Sequence, residues 1–252
     1  MKALSIAAAR SGVGLLRGEG AAAAVFRFLL VTLFVVGVPV FLLASNVRWV
    51  INAPFLYSYG FDRYDIPSYT GIERGELLSA AGQIRSYFNN NEEFLTVRVL
   101  VDGVIVYNLY NEREVVHMRD VKGLVKGTYR IQELAGVYMG AFILLGLLAW
   151  RREFGRRLVR YVGYGGVLTL VLVVAVGLAS LVGFERLFLA FHLVSFSNDF
   201  WLLDPRTDYL IAMFPERFFF DATMWIAGST VVEALLLAAP LAALKWRGRR
   251  AR

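Results

Sequence analysis

The chain has 252 residues, 58% hydrophobic and 19% charged, against roughly 45–50% and about 25% in soluble domains, which excludes an ordinary soluble protein. Its net charge of +7 would suit nucleic acid if it formed a surface patch, but it is concentrated in three short segments flanking apolar stretches. The absence of cysteine excludes disulfides, thiolate-bound metals, a cysteine nucleophile and lipidation of the chain through sulfur.

In chain order, residues 1–20 carry Lys2, Arg10 and Arg17 and read as a cytoplasmic N-terminus. Residues 28–43 form the first apolar run, extended to 21–44 if Arg27 snorkels to the interface. A cleaved signal peptide is the competing reading, but the run exceeds the ~7–15 residues of a signal h-region. Residues 45–132 read as an extracytoplasmic α+β domain. Further spans follow at 133–150, 161–184 and 221–244, each long enough to cross about 30 Å of hydrocarbon. Between the second and third lies RREFGRRLVR, residues 151–160, and after the fourth KWRGRRAR, residues 245–252. Residues 45–132 hold ten basic and ten acidic side chains, and residues 183–218 three and five. All surplus positive charge therefore lies on one side, which predicts a plasma-membrane protein with both termini inside. The same distribution argues against nucleic acid, since the clusters set topology and touch anionic lipid. The predicted fold is a four-helix transmembrane bundle with a small α+β domain and an interfacial aromatic helical loop.

Within the outer domain, Ser68 or Thr70 is expected to cap a helix through Glu73, Leu77, Leu78, Ala81, Ile84 and Phe88, which recur at helical spacing. Asp102-Gly103 between two β-branched runs signals a hairpin, because a type I′ turn needs positive φ at both central residues. Asn111 with Glu114 three residues on predicts a helix start. On that helix His117 shares a face with Arg113 and Asp120, so that Asp120 or Glu114 can orient the imidazole. The second outer segment, residues 185–220, is aromatic but broken by Asn198, Asp199, Pro205 and Pro215. It reads as short helices at the interface, one capped by Asp204 with Pro205 in its first turn and Asp208 near its positive end. Such backbone is tolerated at membrane depth only where it lies in protein or lines a cavity, which implies a pocket open to lipid.

His117 and His192 are the two histidines, and the topology places both on the outer face. Each can exchange a proton near neutral pH; the bland alternative is one surface residue and one satisfied hydrogen-bond partner. Asn198 is a candidate oxyanion donor and Asp199 an orienting carboxylate, though both suit helix caps. Arg206, Asp208 and Trp201 are candidates for contact with a lipid or its headgroup; for Arg206, a local salt bridge to Asp204 is the favoured alternative. Glu233, near the middle of the fourth span, is either functional or protonated and hydrogen-bonded. No serine elbow, zincin or phosphate-loop motif occurs, and no metal or cofactor is expected.

NEREVVHMRDVKGL (residues 111–124) and FHLVSFSNDFWLLDPRTDYLIAMFPERFFFD (residues 191–221) resemble the bacterial lipoprotein intramolecular transacylase family. The order of span, large outer domain, two spans, aromatic loop and last span is similar too, over about residues 25–245. The resemblance implies a substrate lipoprotein whose N-terminal cysteine carries a thioether-linked diacylglyceryl group. The sn-2 acyl chain would move from glycerol to the cysteine's own α-amine, leaving a lyso-form lipoprotein, with His117 and His192 matching the family's essential histidines. Partners are then the diacylglyceryl-modified N-terminus and membrane phospholipid, with a monomeric chain. Competing classes are another envelope acyl hydrolase or acyltransferase, told apart by its product, and a non-enzymatic membrane chaperone or sensor, which would tolerate loss of both histidines.

Overall fold

A computed structural model describes residues 20–101 and 103–250. Among the described residues the chain is mostly helical, with four helices long and apolar enough to cross a membrane and one small two-stranded sheet. Helix α1 (Ala21–Asn52) is followed by α2 (Pro54–Arg63), α3 (Ile66–Thr70) and α4 (Arg74–Asn89). Then come strands β1 (Val99–Val101) and β2 (Val104–Val106). The helical run Glu112–Ser195 consists of two long helices, α5 (Glu112–Arg151) and α6 (Glu153–Ser195). They are followed by α7 (Tyr209–Met213) and α8 (Glu216–Arg250).

The reversal between α5 and α6 sits at Arg151, which adopts φ +45°. In an uninterrupted helix Phe142 and Tyr161 would be about 28 Å apart at 1.5 Å per residue, yet their rings lie 6.1 Å apart. The expected loop at 151–160 is thus almost entirely helical, because its Arg, Glu and Leu residues are good helix formers and Glu153 pairs with Arg157 one turn on.

The chain divides into two compact units. The first comprises the described part of Met1–Ser45 with Arg130–Ala175 and Ala227–Arg252, and holds most of each apolar stretch. Its helices meet through small residues: a Cβ on Gly166 of α6 would fall 2.8 Å from the carbonyl oxygen of Ala234 and 3.1 Å from the amide nitrogen of Ala238. Gly163 and Gly165 in the same turn admit Leu241 and Val38, the close approach by which membrane helices gain packing. Tyr138 donates to the carbonyl of Leu30 at 2.6 Å, and Phe34 packs on Phe142. The basic N-terminal residues lie outside the described residues.

The second unit comprises Asn46–Tyr129 and Val176–Ile226. Its core gathers Leu56, Phe61, Leu77, Ile84, Tyr87, Met213 and Phe214, so the aromatic segment after α6 supplies core side chains. Gly60 leaves room for the ring of Phe218, which a Cβ would overlap. Helix α4 buries Leu77, Ala81, Ile84 and Phe88, as their spacing predicts. Its start differs: Ser68 and Thr70 belong to α3, and Glu73 holds the N-cap position of α4 without a side-chain cap. In the hairpin Val99 pairs with Val106 and Val101 with Val104, and Gly103 takes φ +79°; Asp102 lies outside the described residues. Two further boundaries differ from expectation. Helix α6 runs on to Ser195, since nothing before Asn198 interrupts it, and Asp208 rather than Asp204 occupies the N-cap position of α7.

Candidate active site

The start of α5 is built locally. Asn111 accepts from the amide of Glu114 at 3.1 Å while the Glu114 carboxylate accepts from the amide of Asn111 at 2.8 Å, a complete capping box. The first five turns of α5 are studded with charge and precede its apolar stretch, so His117 and Glu114 lie outside the spanning part. One helix face then engages the segment after α6 residue by residue. Glu114, 1% exposed, also accepts from the amide of Leu210 at 2.6 Å. Asn111 donates to Asp208, Arg113 donates to the carbonyl of Asp199, and Asp120 accepts from the Asn198 amide at 2.8 Å.

Against this face the two imidazoles meet. His117 and His192, 7% and 8% exposed, stack with centroids 6.1 Å apart and ring planes 29° from parallel. Phe196 packs on both, at 5.0 Å from His117 and 5.6 Å from His192. Around His192 stand Phe188 at 4.4 Å, Trp201 at 5.0 Å and Phe191 at 5.4 Å. Nδ1 of His192 lies 2.7 Å from the carbonyl oxygen of Phe188. A carbonyl can only accept, so Nδ1 carries a proton, and in the neutral form of the ring the lone pair lies on Nε2. Nδ1 of His117 is buried without a hydrogen-bond partner. Burial pushes the pKa of His117 down to about 4; neighbouring His192 lowers it further and Asp120 opposes the shift. The imidazole is therefore neutral at pH 7 and can accept or donate a hydrogen bond.

The remaining candidates fall in different places. Asp120 and Glu114, expected to orient the imidazole, instead bind Asn198 and the amides of Asn111 and Leu210. Burial raises the pKa of Glu114, and the two backbone donors oppose this. Asn198 donates to Asp120 and accepts from the amide of Phe200 at 3.1 Å, holding the turn after α6. Asp199 enters through its carbonyl, the acceptor for Arg113. Trp201 lies directly on His192. Arg206 forks onto Asp204, with Nη2 to Oδ2 at 2.6 Å, a local pair remote from either imidazole in its contacts. Asp208 braces Asn111 and the amide of Asp204. Among the described residues no group of three or more His, Asp or Glu side chains could hold a metal ion. Phe188, Phe191 and Phe196 carry no motif that marks them as part of a site; Phe188 and Phe196 sit four residues either side of His192, a pattern visible only once α6 is known to continue.

A family model described as lipoprotein intramolecular transacylase Lit matches residues 32–219. An uncharacterized protein of Aquifex aeolicus (strain VF5) is 25% identical over 205 residues, covering 80% of this chain and 88% of that one. Among solved structures, the membrane integral lipoprotein intramolecular transacylase Lit from Bacillus cereus aligns with a TM-score of 0.72 at 21% identity, covering 90% of this chain and 99% of that one. A form of that protein with one histidine replaced by alanine gives 0.68 at 20% identity, covering 90% and 97%. The structural likeness establishes the shared fold. The family match runs through both histidines and the segment that encloses them, so this chain belongs to the lipoprotein intramolecular transacylase family, membrane proteins of acyltransferase type.

Proposed function

We propose that this protein moves the sn-2 acyl chain of an S-diacylglyceryl cysteine to the α-amine of the same cysteine. It would do so at the outer face of a bacterial plasma membrane, with both termini inside. The observation that carries this reading is the stacking of His117 on His192, two protonatable groups in an otherwise aromatic enclosure. Donor and acceptor belong to one substrate, so proximity replaces a covalent enzyme intermediate. The free base form of the amine attacks the ester carbonyl, its proton passing to a histidine. The carbon–nitrogen bond forms, the carbon–oxygen bond to glycerol breaks, and the departing oxygen takes a proton from the second histidine, which the proton gained by the first then replaces, so that both imidazoles end neutral. The lone pair at Nε2 of His192 and the neutral, partnerless Nδ1 of His117 suit these exchanges. Asn198 and Asp120 act as positioning residues for the enclosing turn. Exposed Leu193, at 62%, and Val194, at 88%, lie beside His192 in sequence and suit contact with acyl chains.

The test is to express the chain in a bacterium whose lipoproteins keep a free amine and to fragment the N-terminal lipopeptide by tandem mass spectrometry. Total mass is unchanged by the transfer, so fragment ions must locate the chain. The expected product is N-acyl, S-monoacylglyceryl cysteine, lost in both His117→Ala and His192→Ala. Loss in only one variant would overturn the two-histidine scheme, and free fatty acid as the product would make the protein a hydrolase.

A further inference from the structure

In the first unit a cavity of about 240 Å³ is lined by Arg27, Tyr138, Phe142, Trp150, Phe154 and Arg157 among others. None of its lining residues belongs to the unit that holds the histidines. It is built rather than incidental. The Phe154 ring occupies the space that a side chain at Gly146 would fill, stacks on Trp150 at 6.1 Å and meets Phe142 at 5.9 Å. Tyr138 already donates its hydroxyl to Leu30, which leaves it as an apolar wall. Apolar aromatic surface with two guanidinium groups at one cavity calls for a ligand with an anionic head and a hydrocarbon tail. The volume is below the roughly 300–1,000 Å³ of pockets that enclose whole small molecules, as befits one end of a longer amphiphile. Arg157 belongs to the basic run at 151–160. Its pairing with Glu153 is long, at 4.0 Å, an exposed contact of little worth, and its guanidinium lies 5.3 Å from the Trp150 ring. Arginine's planar fork matches phosphate oxygens two at a time, and basic pockets between membrane helices favour anionic headgroups.

We infer that this cavity is a binding site for an anionic phospholipid, its phosphate held by Arg27 and Arg157 and an acyl chain lying on the Phe142–Trp150 wall. The site is independent of the reaction proposed above. To test it, the full chain is reconstituted in vesicles of equal phosphatidylglycerol and phosphatidylcholine, extracted gently, and its retained lipid identified by native mass spectrometry. Phosphatidylglycerol should be retained in preference, by about five-fold for each arginine engaged. The preference should vanish in R27Q/R157Q and persist in R156Q/R160Q, which removes the same amount of charge, from neighbours of Arg157 that do not line the cavity. Ala141→Trp, which fills the cavity from its wall with both arginines in place, should also expel the lipid and serves if R27Q/R157Q does not fold. Equal retention of the two lipids, equal loss in both arginine pairs, or a preference that survives Ala141→Trp would overturn the inference.

Discussion

Burying an imidazole beside a second one favours its neutral form, and at His117 the consequence is a sloped stability profile. The unfolded chain takes up that proton near the ordinary pKa of 6.5 and the folded chain only at about 4. Between these values the unfolded state binds more protons, so stability falls as the pH drops from 6.5 towards 4 and is level on either side. The full span corresponds to about 3 kcal/mol. Glu114 works in the opposite sense: its raised pKa lets the folded state hold a proton that the unfolded state has released, a gain at low pH that is lost as the pH rises. The difference between the native chain and His117→Gln isolates the imidazole. Thermal midpoints in detergent at about pH 7 and about pH 5 should separate widely for the native chain and less for the variant. Glu114 carries a second expectation. Its removal strands the amides of Asn111 and Leu210, each costing about 1–3 kcal/mol when buried. Glu114→Ala should therefore destabilise by about 2–6 kcal/mol in denaturant titration, and Glu114→Gln, which keeps one acceptor oxygen, by less.

Among the elements, the turn between α5 and α6 concentrates strain at one residue. A side chain at positive φ costs about 1–2 kcal/mol, and Arg151 bears it where glycine would not. Arg151→Gly should raise stability by about 1 kcal/mol, read as a higher thermal midpoint with the proposed activity unchanged. The start of α5 and the hairpin were legible because their signals are local: a capping box spans four residues, and a two-residue turn between valine-rich runs names its own register. The four spans were legible from hydropathy. The last turns of α6 were not, since aromatic and polar residues there suggested an interfacial break while the backbone simply continued to Ser195. The partners of Glu114 and Asp120 were illegible for another reason. Leu210 and Asn198 lie 96 and 78 positions away, and contacts at such separation leave no spacing to read. Charge leads one to expect both histidines on one membrane face, but nothing in the sequence signals that their rings meet.

At the scale of the molecule, the membrane-spanning unit depends on backbones meeting with nothing between them. At Gly166 the neighbours are main-chain atoms of Ala234 and Ala238, which cannot rotate aside as a side chain can. Gly166→Val should therefore destabilise by about 1–3 kcal/mol or more, measured as a lower thermal midpoint. The same substitution at Gly127, which has nothing within 4 Å of its Cβ position, should be far milder. The histidine-bearing unit has a different dependence, because it is made of two stretches of chain, Asn46–Tyr129 and Val176–Ile226, with a long insertion between them. During synthesis the first stretch emerges with His117, Glu114 and Asp120 in place but without the residues that answer them. Under the proposed function, a catalyst divided in this way is born latent: while the chain is being threaded into a bilayer full of ester-linked lipids, it holds only one of the two histidines. The pair is complete only once the second stretch has been made and places His192 and Phe196 against His117.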